Sequence, residues 1–253
     1  MADHETAARR SNTIDPEDVA KFSAMAAEWW DADGKFKPLH KLNPIRLAYI
    51  KERSCAHFGL SEKDPKALSD LLIADIGCGG GLLTEPMARL GATVTGVDAS
   101  EKNIRTAATH AAEQGLAIDY QCASTDALVE RGQTFDIVLN MEVVEHVADV
   151  KVFLEETARL IKPGGLLFMA TLNKTARSFA LAIVGAEYVL GWLPRGTHQY
   201  EKFIAPKDLT GFLEGNGLIV EDQSGVTYNP LFDKWSLSKD LGVNYMVAAR
   251  RPR

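Results

Sequence analysis

The residues with the most evident chemistry lie in Met141-Glu142-Val143-Val144-Glu145-His146-Val147. Glu142, Glu145 and His146 are spaced i, i+3, i+4, so a helical turn would set two carboxylates and an imidazole on one face. Such a trio has three uses. It can bind a divalent cation such as Mg2+. It can present His146, whose imidazole titrates near neutrality, as a general base on a hydroxyl with Glu142 beside it. Or Glu145 and His146 can hold the loop by hydrogen bonds and touch no substrate.

A second cluster runs Leu71-Leu72-Ile73-Ala74-Asp75-Ile76-Gly77-Cys78-Gly79-Gly80-Gly81. Its first half is an apolar run short enough for a buried parallel strand. Its second half is a glycine-dense turn, after which Leu82-Leu83-Thr84-Glu85 opens a helical pattern. Glycines let the backbone approach a ligand, and a helix start offers unpaired N–H groups, so the unit reads as a nucleotide pocket. A tight turn that only packs a helix on a strand is the alternative, but four glycines in five residues exceed that need. The spacing is G-x-G-x-G, with Leu82 where a dinucleotide fingerprint would have its third glycine. Asp98 ends the next strand, 21 positions after Gly77. A carboxylate there accepts from both ribose hydroxyls, or else caps the following helix, for which Ser100 already stands ready.

These residues need a scaffold, and the order of elements supplies one. Helical and β-branched stretches alternate from Leu72 to Thr171, which predicts an α/β fold with a doubly wound, mostly parallel Rossmann-like sheet. Ligands of such sheets sit at the carboxyl ends of the strands, where Asp75, Asp98 and Met141 fall. Residues 15–253 read as a single domain behind a disordered lead-in, 1–14. Residues 15–69 form a helical cap. Its first helix starts at Asp15-Pro16 and carries an apolar stripe, Val19, Phe22, Met25, Trp29, that either docks on the domain or serves as a lid. A second helix is expected from Asn43-Pro44, with Arg46 in its first turn. A cation gains nothing from the dipole there, so Arg46 faces an anion, with the carboxylate of a bound cofactor the obvious one, or is a solvated surface arginine. Residues 174–205 form an apolar insert with Lys174, Arg177 and Arg195 around it, suited to anionic lipid, to a greasy substrate, or to plain burial.

Composition bounds the reading. The chain has 253 residues, 46% of them apolar and 25% charged, as in an ordinary globular protein. A net charge of −6 argues against nucleic acid as a partner. Cys55, Cys78 and Cys122 show no C-x-x-C spacing, which suggests a reducing compartment. Met1 to Asn12 lacks the features of a signal or transit peptide, and no stretch is long enough to span a bilayer, so a cytoplasmic or membrane-peripheral protein is expected.

The glycine turn with Asp75 resembles motif I of class I S-adenosylmethionine-dependent methyltransferases, and Met141 to Val147 resembles their motif IV. Asn43-Pro44-Ile45-Arg46, Val184-Gly185-Ala186-Glu187-Tyr188, Gly196-Thr197-His198, Lys202-Phe203-Ile204, Tyr228-Asn229-Pro230 and Val243-Asn244-Tyr245 narrow this. Together they resemble the bacterial ubiquinone biosynthesis O-methyltransferase family from about residue 15 to the C-terminus. The resemblance implies methylation of phenolic hydroxyls on a polyprenylated catechol and on demethylubiquinol. It implies that Arg46, Asp75, Gly77, Gly79, Asp98 and Met141 bind S-adenosyl-L-methionine. Asp126 would meet the adenine edge, or else Ser124-Thr125-Asp126 only caps a short helix. Glu142, Glu145 and His146 match an acidic-histidine cluster assigned to a divalent metal, here Mg2+, in mitochondrial relatives. The implied partners are the polyprenylated phenol, an anionic surface at the inner membrane and a ubiquinone-biosynthesis complex. Other readings are an O-methyltransferase of another hydrophobic phenol, an NAD-dependent oxidoreductase, which Leu82 argues against, and a non-catalytic lipid-binding module.

Overall fold

The computed structural model describes residues 13–181, 199–229 and 232–253. Asp15 caps α1 (Pro16–Ala24), accepting from the Glu17 and Asp18 amides at 3.0 and 3.5 Å, with Pro16 at the start. A 3₁₀ turn, Ala26–Glu28, follows. Order begins earlier than expected: Thr13 is buried, its carbonyl accepts from the Ala148 amide, and Ile14 bridges to Val147.

The second helix also departs from expectation. α2 (Lys37–Phe58) begins at Lys37-Pro38 and runs through Pro44. Proline inside a helix costs about 3 kcal/mol. Burial of Leu42 and Ile50 against the sheet, at about 1.5–3 kcal/mol each, offsets that cost. Arg46 therefore lies inside the helix, not in its first turn, and is buried. Gly59 ends α2 at φ 68°.

The alternating unit follows: β1 (Leu72–Ile76), α3 (Thr84–Arg89), β2 (Thr93–Asp98), α4 (Glu101–Glu113), β3 (Asp119–Cys122), α5 (Thr125–Glu130), β4 (Phe135–Met141), α6 (Val150–Arg159) and β5 (Ile161–Leu172). A short α7 (Ala176–Ser178), α8 (Pro206–Gly215), β6 (Ile219–Asn229), β7 (Lys234–Ser238) and β8 (Asn244–Arg250) complete the described elements. The sheet runs β3-β2-β1-β4-β5-β8-β6-β7. Its first five strands are parallel, and β8, β6 and β7 are antiparallel. β7 was not legible in the sequence. Lys234, Trp235, Ser236, Leu237 and Ser238 make an edge strand with no buried residue, so no strong apolar run marks it. It pairs with β6, which is longer than its apolar start suggests and takes in Tyr228 and Asn229.

Alternate residues of the central strands feed two cores. Ile137, Leu139 and Phe168 face α2, while Val138, Leu167 and Met169 pack with Phe153 and Leu154 of α6. Both faces are covered, which explains the near-continuous apolar runs. β1 has β2 on one side and β4 on the other, so the chain leaves β1 and β4 in opposite directions and opens a crevice at their carboxyl ends.

Candidate active site

A cavity of about 230 Å³ occupies that crevice. One wall comes from the ends of β1 and β2. Gly77, Gly79 and Gly81 adopt φ of 68°, 54° and 90°, a conformation that L side chains rarely take. The Asp98 carboxylate accepts from the Gly79 amide at 3.0 Å, the Ser100 amide at 2.8 Å and the Asn103 side chain at 3.2 Å. It thus ties the glycine turn to the start of α4 while lining the cavity. Burial raises its pKa. Beneath the turn, buried Asp75 accepts from Thr84 Oγ1 at 2.6 Å and is pushed up to about 6 by its burial.

The glycines serve packing more than the sequence suggests. A Cβ on Gly77 would lie 2.5 Å from Val143, and one on Gly79 would lie 2.4 Å from the Trp29 ring. Gly80 would meet Trp29 at 2.3 Å. The N-terminal elements are therefore seated directly on the turn. Val19, Phe22, Met25 and Trp29 line the cavity, and Met25 and Trp29 pack with Phe36 and Leu82, so the stripe both docks on the domain and covers the site. Trp29 Nε1 donates to Asn103 Oδ1 at 3.0 Å, and Trp30 Nε1 donates to the Gly80 carbonyl at 2.9 Å. Trp29 and Asn103 thus join the site. Their signal was an apolar stripe and an ordinary polar helix residue, neither of which names a ligand.

Arg46 reaches the cavity from α2. Its Nη2 donates to Asn43 Oδ1 at 2.9 Å, and its buried Nε has no partner. Burial lowers its pKa, while Glu142 and Asp75 favour its charge. An unpaired guanidinium nitrogen inside a cavity calls for an anionic oxygen. The residues present fit S-adenosylmethionine: Arg46 would suit its carboxylate, and Asp98 its ribose hydroxyls, with Met141 also lining the cavity. Asp126 is not among the residues lining the cavity. Its carboxylate accepts from Ser124 Oγ at the start of α5, in line with the capping alternative, while Ala123, Ser124 and Thr125 line the cavity.

The other wall holds the acidic-histidine cluster, and the common face expected of it does not form. Glu142 sits at φ 62°, and only Val144–His146 makes a 3₁₀ turn. Glu142 Oε1 accepts from Asn244 of β8 at 3.3 Å. Glu145 points inward, where it accepts from Thr171 Oγ1 at 2.9 Å. Burial, and then the charge of Glu142, push its pKa well above the usual carboxylate range. His146 turns the other way, with Nδ1 3.2 Å from Asp18 Oδ2 of α1. Among the described residues no three His, Cys, Asp or Glu side chains are grouped to hold a metal. As placed, the trio does not fit a Mg2+ site. Glu142 and His146 line the cavity with Asp18, whereas Glu145 does not. The sequence assigned no site role to Asp18, which looks like a first-turn helix acid, or to Asn244, which carried only family resemblance.

Residues 74–169, from β1 to β5, match the family described as a methyltransferase domain. The shape agrees. A magnesium protoporphyrin IX methyltransferase from Synechocystis with bound SAH superposes with a TM-score of 0.65 at 20% identity, over 92% of this chain and 97% of that one. The family match and the shared shape thus define a methyltransferase domain of Rossmann-like fold. Among curated proteins, the ubiquinone biosynthesis O-methyltransferase of Parvibaculum lavamentivorans is 59% identical over 253 residues, all of both chains. That of Sinorhizobium fredii is 59% identical over 240 residues, 95% of this chain and 97% of its own. The chain belongs to the ubiquinone biosynthesis O-methyltransferase family.

Proposed function

We propose that this enzyme methylates phenolic hydroxyls of polyprenylated catechol and demethylubiquinol intermediates, at the cytoplasmic face of the inner membrane. The observation that carries the reading is the cavity itself. It has a cofactor wall of Gly77, Gly79, Asp98 and Arg46, and a facing wall of apolar side chains among which stand Asp15, Asp18, Lys35, Glu142 and His146. S-adenosylmethionine, when bound, supplies a methyl carbon already electrophilic on its sulfonium. The protein's part is to align a phenol oxygen with that carbon, exclude water and take the phenol proton. Phe22, Met25 and Trp29 close the cavity against water. The role of base goes to His146, which lines the cavity with Glu142 of the same loop, whereas Glu145 is buried outside it.

A polyprenyl tail favours a lipid surface over water. No described helix is long and apolar enough to cross a membrane. Most of the apolar insert lies outside the described residues, including Ile183, Val184 and Leu190. At its start, Phe179 and Leu181 are exposed, at 44% and 53%, beside Lys174 and Arg177. Arg177 is paired with Asp240, which weakens its share in any attraction to anionic lipid. The test is mass-spectrometric detection of methyl transfer to a catechol, short-tailed in solution and long-tailed in vesicles with and without anionic lipid. Transfer to both, faster on anionic vesicles, supports the reading. No transfer to either catechol refutes the substrate. Transfer indifferent to vesicle charge refutes the anionic surface.

A further inference from the structure

The acceptor wall contains one arrangement that proton removal alone does not explain. His146 is gripped from α1 by two side chains one helical turn apart. Asp18 Oδ2 lies 3.2 Å from Nδ1, and the Phe22 ring meets the imidazole edge-on, with centroids 5.1 Å apart at 85°. The hydrogen bond fixes where the imidazole points, and the ring contact fixes its plane.

Asp18 is itself held more firmly than a helix acid requires. Its side chain is 5% exposed, and Lys21 Nζ lies 2.9 Å from Oδ1 while Lys202 Nζ lies 3.2 Å from Oδ2. Lys202 also bonds Asp15 at 2.7 Å. Burial raises the Asp18 pKa, but His146, Lys21 and Lys202 outweigh it and hold the carboxyl well below its ordinary range. Asp18 is therefore an acceptor throughout the neutral range, and a carboxylate facing Nδ1 selects the tautomer that carries its proton there.

We propose that Asp18 is a positioning residue for His146: it holds the proton on Nδ1 and thereby assigns the phenol proton to Nε2. This rests on His146 acting as the base. The N-terminal helix is then part of the reaction apparatus as well as a lid. Around the Asp18–His146 pair stand Lys21 of α1 and Lys202 near the end of the insert, both bonded to Asp18, with Asp15 bonded to Lys202. Asp18 lies within hydrogen-bonding reach of Nδ1.

Nitrogen-15 NMR of histidine-labelled protein, with His146→Gln for assignment, reads the tautomer directly. The Nδ1–H form is expected in the wild type and in Asp18→Asn, whose amide oxygen still accepts, and the Nε2–H form in Asp18→Ala. An unchanged tautomer in Asp18→Ala overturns the proposal. In kinetics, Asp18→Ala should lower kcat ten- to hundredfold with KM for S-adenosylmethionine within twofold, and Asp18→Asn should lose less. Added to His146→Ala, Asp18→Ala should cost under twofold. An equal loss in both backgrounds means that Asp18 only secures α1. Full activity in His146→Ala sinks the base reading itself, whatever Asp18 does. S-adenosylhomocysteine titration confirms that each variant is folded. If Asp18→Ala does not fold, an Nε2–H tautomer in Asp18→Asn equally overturns the proposal.

Discussion

On the cofactor wall, the contacts that shape the site are short-range in the chain: Thr84 to Asp75 spans 9 residues and Gly79 to Asp98 spans 19. On the acceptor wall, His146 to Asp18 spans 128 and Asn244 to Glu142 spans 102. The first wall is built mainly from a strand, a turn with positive φ and a helix start, all local, with Arg46 and Trp29 reaching it from the N-terminal elements. The second exists only once the N-terminal helix and the last strand have docked on the sheet. Cofactor binding should therefore survive many distant changes that misaim the acceptor side, whereas local changes at the turn should abolish it.

The largest effect expected from that contrast is at Gly77. Gly77→Val would force a branched side chain into φ 68° and against Val143, 2.5 Å from the new Cβ. Overpacking alone costs about 1–3 kcal/mol, with about 1–2 kcal/mol more for left-handed backbone. Urea unfolding should show the loss, and calorimetry should find no cofactor binding. Retained binding would break the comparison.

Asp98→Ala should weaken cofactor affinity by about 1–3 kcal/mol, roughly ten- to hundredfold, because ribose and the Gly79 amide both lose a charged acceptor. Unchanged affinity would remove Asp98 from the ribose. Asp126→Ala, outside the cavity, is the control and should change affinity less than twofold.

A smaller effect lies beneath the turn. The Asp75 carboxyl is raised from 3.8 to about 6 in the folded protein. Between those values the folded state keeps a proton that the unfolded chain has released. Stability contributed by this group is thus present at low pH and falls as pH rises, by at most about 1.4 kcal/mol per unit. Asp75→Asn should flatten that slope in urea melts taken from pH 4 to 6.5. An unaltered slope would mean that Asp75 is not buried as shown.

The sequence by itself determined the parallel half of the sheet, the glycine turn and Asp98, because alternation, glycine clustering and strand-end acids are written in adjacent residues. It placed Arg46 by an expected first-turn position and Met141 by its strand end, both reinforced by family resemblance, although α2 starts earlier than Asn43-Pro44 suggests and Arg46 is buried inside the helix instead. Tertiary structure alone decided where Glu142, Glu145 and His146 point. Their i, i+3, i+4 spacing implies one face only in a continuous helix, and the chain makes a positive-φ step at Glu142 and a 3₁₀ turn instead. That local path sends Glu145 to Thr171, Glu142 to Asn244 and His146 to Asp18, three partners from three distant elements. Residue spacing cannot encode such partners, since a side chain's direction depends on what the rest of the fold brings within hydrogen-bonding reach.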